Sequence, residues 1–246
     1  MLRNSLSWKL VGLLLIACIG SIAVLAALAV RMGTTVLTEQ ERAALEAVRS
    51  SRQHYIEKYF KIIQGQMFTY CQDRMITEAI IELGAAFKSA PAQVLDNTGE
   101  SGEPVTALRN YYEQEFAARL EASGSASRGV ETYLPQSAAG RLLQSIYIVQ
   151  NPNPIGEKRR LDRAHQTFDY NGLHRLYHPL IRDYSETFGY YDIFLFDLEG
   201  NLIYSVSKET DFGTNFLDGP YQNTNLAEVF EQAYLSEVPG SVFMVD

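Results

Sequence analysis

The chain has 246 residues, 46% hydrophobic and 20% charged, which leaves room for one or two modest domains. Its formal net charge is −8, so a non-specific grip on nucleic-acid phosphates has no electrostatic support. The two cysteines, Cys18 and Cys71, lie in an apolar and a polar segment respectively, which argues against an intramolecular disulfide. Cys71 reads as a buried thiol, with a bridge to the same residue of a second subunit as the alternative.

Residues 1–9 carry Arg3 and Lys9 and no acid. Residues 10–30, from Leu10 to Val30, run without a charge for about 21 residues, enough to cross a bilayer core as a helix. Trp8 sits where an interfacial aromatic belongs, and Glu39 and Glu41 follow soon after Arg31. The positive-inside rule then puts the N-terminus in the cytoplasm and everything after residue 31 outside. A cleaved secretory signal is the competing reading, with Ala27-Leu28-Ala29 as its processing site. The apolar run exceeds the usual ~7–15 residues of such signals, which favours an uncleaved anchor.

Residues 31–165 read as a helical region. Leu37, Leu45, Val48, Tyr55, Tyr59 and Ile62 recur at three- and four-residue steps, and Met67, Tyr70, Ile76, Ile80, Leu83 and Phe87 continue the stripe. Thr38 and Glu41 match a capping box, so a helix is expected to start there after a break at Gly33-Thr34-Thr35. Ala90 to Glu103 reads as a loop, Pro104 to Ala122 as a helix with Val105, Leu108, Tyr112, Phe116 and Leu120 inward, and Ser123 to Gly129 as a linker. Ser137 caps a further helix carrying Leu142, Leu143, Ile146 and Val149. Such helices would form a long-helix bundle, or pair two copies of the chain as a homodimer. At 151–156, NPNPIG stops the last helix. The charged GEKRRLDRA that follows is a solvated loop or part of a ligand rim, the first being favoured.

Residues 166–246 read as a sensor module. Leu173, Leu176, Tyr177, Leu180, Tyr184 and Phe188 share one helical face, with Pro179 expected to kink or restart the helix. In FGYYDIFLFDLEGNLIYSV, residues 193–196 form an apolar strand suited to burial on both faces. Asp197 to Asn201 turns, with Gly200 supplying a positive φ, and Leu202 to Val206 returns. A loop covers 207–221, Asn225 caps a short helix with Leu226, Val229, Phe230 and Ala233 inward, and Ser241 to Val245 begins a third strand.

The segments NPNPIGEKRRLD (151–162), YHPLIRDY (177–184), FGYYDIFLFDLEGNLIYSVSKETDFGTN (188–215) and DGPY (218–221) resemble the periplasmic PAS-like Cache sensor of bacterial transmembrane receptors. In that family such segments precede chemoreceptor, cyclase, kinase or phosphatase output domains. The resemblance implies an α+β fold: a transmembrane helix, a long-helix bundle, then a partial PAS-like antiparallel sheet. It also implies an inner-membrane receptor for chemotaxis or related signalling, with the chain ending before its second membrane helix and output domain. A membrane-tethered binding protein without signalling output is the alternative.

A PAS-like pocket lies between sheet, helix and loops, so its candidate ligand-binding residues are Tyr191, Asp192, Tyr204, Lys208 and Asp211. Lys208 would meet a carboxylate and Asp211 an amine; the competing view makes them a loop salt bridge and the tyrosines core. His174 and His178 stand four apart, but no third ligand is apparent, and surface or partly buried histidines are the simpler reading. Neither a catalytic signature nor a phosphate-binding glycine motif is present, so no enzyme activity, metal or cofactor is expected. The expected partners are a small molecule of unknown class and the membrane.

Overall fold

The computed structural model describes residues 4–98, 103–124 and 129–245, and contacts divide the chain into Met1–Gln64 and Gly65–Asp246. It is mostly helical with one small sheet, an α+β arrangement.

Helix α1 spans Asn4–Cys71. In its first unit the apolar side chains face outward: Ile16 is 73% exposed and Leu25 66%. That exposure is costly in water and natural in lipid, and the helix is apolar enough near the N-terminus to cross a membrane. The break expected at Gly33 is absent. Thr38 instead turns its hydroxyl back to the carbonyls of Thr34 and Thr35, both at 2.9 Å, so it bonds within the helix rather than capping a new one.

The second unit is built on α2 (Arg74–Thr98). Its stripe of Ile76, Ala79, Leu83, Phe87, Ala90 and Val94 is buried, and it packs against α5 (Ala138–Gln144), α6 (Asp169–Phe188) and the hairpin. The helices expected as a separate bundle therefore share one core with the sheet. The loop expected from Ala90 is helix as far as Thr98, despite Pro91. Burial of Ala90 and Val94 outweighs the one backbone bond that proline removes. Gln93 also donates to the Asp169 carboxylate (2.7 Å) and accepts from the Asp169 amide (2.9 Å), closing the start of α6. Residues 99–102, and most of the expected linker, lie outside the described residues.

The next helix is α3 (Glu103–Tyr111), a π-helical turn at Tyr112–Phe116 and α4 (Ala117–Ala122). A second π-turn, Ser145–Val149, follows α5, whose N-cap Ser137 accepts from the Gly140 amide at 3.0 Å as expected. In α6 the chain runs helically through Pro179, but its inward face differs from the one expected. Tyr170, Asn171, His174, Tyr177, His178, Ile181 and Ser185 are buried, whereas Leu176 and Leu180 are 58% and 52% exposed. Hydropathy misplaced the helix because its core partners are aromatic rings and backbone carbonyls, which histidine and asparagine serve better than leucine.

Strands β1 (Phe194–Phe196) and β2 (Leu202–Ser205) pair antiparallel, with Leu195 opposite Tyr204 and a bulge before Phe196. Gly200 has φ +85°, and the Asp197 carboxylate gathers the Glu199 and Asn201 amides at 3.0 and 2.9 Å. Leu195, Ile203 and Tyr204 join the main core, while Phe194, Phe196 and Leu202 meet Phe216 and α7 (Asn225–Tyr234) on the other face. Two covered faces explain why β1 lacks alternation. Thr224, not Asn225, caps α7. No third strand forms at Ser241–Val245. The outer edge of β2 is met instead by the returning loop, where Leu202 and Thr214 bond backbone to backbone at 2.9 Å and Asn201 bridges Asn215.

Candidate ligand-binding site

Beneath β2 lies a box of rings. Tyr147 from the second π-turn, Tyr170, His174 and His178 from α6, Tyr204 from β2 and Phe212 from the loop are packed together and buried. The two imidazoles stack with centroids 4.4 Å apart. His178 donates from Nε2 to the Arg159 carbonyl (2.6 Å), so its Nδ1 accepts from the Tyr204 hydroxyl (2.7 Å). His174 donates from Nδ1 to the Asp162 carbonyl (3.0 Å), and its Nε2 has no partner. These are neutral, fully buried histidines rather than the surface or partly buried pair expected. Burial holds both well below the ordinary imidazole range, and the nearby Lys208 charge lowers them further. Among the described residues no group of three potential metal ligands occurs.

Lys208 closes the box. Its side chain is 2% exposed, and its ammonium lies 4.3 Å from the Tyr204 ring centroid and donates to the Ser205 carbonyl. Its φ of +57° is the one positive value at a non-glycine position among the described residues. Left-handed backbone costs such a residue roughly 1–2 kcal/mol. The Ser205 hydroxyl accepts from the Lys208 amide at 3.0 Å and helps hold that conformation. Burial pulls the Lys208 pKa down to about 7, against a smaller upward pull from Asp192.

The other expected site residues separate by role. Tyr204 belongs to the box. Asp192 is consumed by the hairpin end, accepting from the Ser205 hydroxyl (2.8 Å) and the Val206 amide (2.7 Å). Tyr191 is 69% exposed and donates its hydroxyl to Glu209. Asp211 forms no ion pair with Lys208 among the described residues; its Oδ1 is buried and unpartnered, and burial followed by repulsion from Asp192 raises its pKa to about 7.

A cavity of about 330 Å³ opens beside Lys208, at the small end of the ~300–1,000 Å³ common for ligand sites. One wall is the α3–α4 helix, with Tyr111, Phe116, Arg119, Leu120 and Ser123. The other comprises Ile148, the 155–158 segment and residues 207–210. Phe116 and Ile148 come from the two π-turns, a helical irregularity often found at functional sites. Lys158 is 8% exposed and donates to the Asn151 carbonyl at 2.8 Å, while burial lowers its pKa. Ile155, Gly156 and Lys158 thus form part of the cavity rim, the alternative to a solvated loop. Of the five expected residues, Lys208 alone lines the cavity. Phe116 and Leu120 belong to the apolar face expected to pack inward, and no local signal distinguishes a residue that lines a cavity from one that fills a core.

Gln144 anchors this loop from beneath, donating to the carbonyls of Thr210 (2.8 Å) and Phe212 (2.7 Å) while accepting from Tyr112 (2.9 Å). The loop's position is therefore set by α5 and the first π-turn as well as by the hairpin. No protein-family model, curated protein or solved structure matches the chain.

Proposed function

We propose that the chain is the ligand-sensing part of a membrane-anchored receptor, with a PAS-like Cache module outside the inner membrane and residues 1–9 in the cytoplasm. The observation that carries the reading is the cavity walled by the strained Lys208 loop, two π-turns and the α3–α4 helix. Left-handed backbone and a buried, unpaired cation both oppose folding, and such costs gather where a ligand or switch uses them. An occupant would contact α3–α4 and the 207–210 loop together, so it would favour one arrangement of these elements over another, the requirement for signalling. The segment resemblance and the apolar N-terminal helix supply the receptor context.

The test is thermal unfolding of the full chain in detergent micelles against small organic acids, neutral compounds and amines. At least one compound is expected to raise the melting temperature, and Leu120→Trp, which fills the cavity from the α4 wall, is expected to abolish the response. A panel without effect sinks the reading. Topology is checked separately through Cys71, whose thiol is free and exposed rather than buried as expected. It should react with a membrane-impermeant maleimide in intact spheroplasts; reaction only after lysis would reverse the orientation.

A further inference from the structure

We propose that the cavity takes an organic monocarboxylate with an apolar body, its carboxylate held by Lys158 and Lys208 and its body by Phe116, Ile148 and Ile155. The proposal rests on the ligand-sensing reading above and names the chemistry of that same site. On a chain of net charge −8, three of the residues lining this one cavity are cationic: Arg119, Lys158 and Lys208. None of the three is in an ion pair among the described residues. Glu209, the carboxylate among the lining residues, is engaged by the Tyr191 hydroxyl. The Lys208 ammonium donates to the Ser205 carbonyl and the Lys158 ammonium to the Asn151 carbonyl, which leaves donor capacity on both. Buried cations are costly unless paired, and an arriving carboxylate supplies the missing charge. Tyr111, Phe116, Leu120, Ile148 and Ile155 add an apolar surface to the hydroxyls of Ser123, Ser207 and Thr210, which selects an organic acid over an inorganic anion.

Binding is coupled to a proton. Lys208 is faced by Tyr147 from the π-turn, Tyr204 from β2 and His174 and His178 from α6, with Arg182 beyond them; Asp192 is the carboxylate acting on it. The histidines stay neutral, so the ammonium must carry the charge that meets the ligand. With Lys208 titrating near 7 in the empty protein, a bound carboxylate raises that value and draws in a proton above neutrality. Affinity should be flat below pH 7 and fall above it, by at most about tenfold per pH unit.

The experiment uses the full chain in detergent micelles with hydrocinnamate and isocaproate, the neutral hydrocinnamamide, and phenylpropylamine. The acids are expected to raise the melting temperature by roughly 5 °C at a hundredfold excess over Kd, with little effect from amide or amine. Lys208→Met, an apolar replacement of similar length, should fold at least as stably while losing roughly tenfold to a hundredfold in acid affinity. Lys208→Arg should bind with affinity independent of pH from 7 to 9, because guanidinium stays charged. Lys158→Met should weaken the acids without removing the pH dependence. An amide that binds as well as its acid, or wild-type affinity that does not change above pH 7, overturns the proposal and leaves the sensor reading standing. If no compound of any charge shifts the transition, both fail.

Discussion

Replacing Gly140 by alanine is expected to cost about 3 kcal/mol or more of folding free energy. Gly140 lies in the first turn of α5, where a Cβ would stand 2.0 Å from the Gly213 carbonyl oxygen and 2.8 Å from the Pro135 side chain. Gly213 has φ +77° and faces the Gly140 Cα in return. Two backbones meet there directly, so no rotamer change relieves the clash, and α5 or the loop must move. That loop carries residues 207–210 of the cavity wall, and the same variant should therefore lose ligand response at temperatures where it remains folded. The control is Gly172→Ala in α6, where nothing lies within 4 Å of the added atom. It should stabilise by roughly 0.5–1 kcal/mol through the ordinary helix preference of alanine. Denaturant midpoints of the full chain in micelles decide the matter. Equal midpoints for the two variants would show that the close approach does not hold in solution.

The second large effect is acid sensitivity. His174 and His178 are held neutral in the fold, with imidazole values lowered by burial, and both charge in the unfolded chain near pH 6.5. Below that value the unfolded state binds two more protons than the folded one, so stability falls with acid at up to about 2.7 kcal/mol per pH unit. Asp211 acts in the opposite sense. Its value is raised to about 7, so between about 7 and its unfolded value near 4 the folded state binds the extra proton, returning about 1.4 kcal/mol per pH unit. Lys208 is charged in both states below pH 6 and drops out of the difference. The net expectation between pH 4 and 6 is a loss near 1.4 kcal/mol per unit, steepening toward 2.7 in Asp211→Asn. Stability measured at several pH values checks both slopes. An Asp211→Asn slope no steeper than the wild type would show that the carboxyl is ordinary.

The elements that were legible in the sequence are those whose signals are local. The apolar run from Leu10 to Val30, the hairpin around Gly200, the Ser137 cap and the approximate extent of α3–α4 follow from charge, backbone freedom and periodicity within a few residues. Where the reading failed, a distant partner overrode a local rule. Pro91 sits inside a helix because Ala90 and Val94 are buried, and α6 turns its histidines inward because Tyr204 and the carbonyls of Arg159 and Asp162 await them.

The candidate site divides along the same line. Lys208 was visible as a cation in a loop, but its burial, left-handed backbone and ring neighbours depend on residues up to 61 positions earlier in the chain, at Tyr147. By itself the sequence determined where the chain can enter a bilayer and where it must turn, since hydropathy and glycine conformations act over a few residues. Only the tertiary structure decided which cations lose water and which wall faces them, because desolvation is set by whatever else occupies the space.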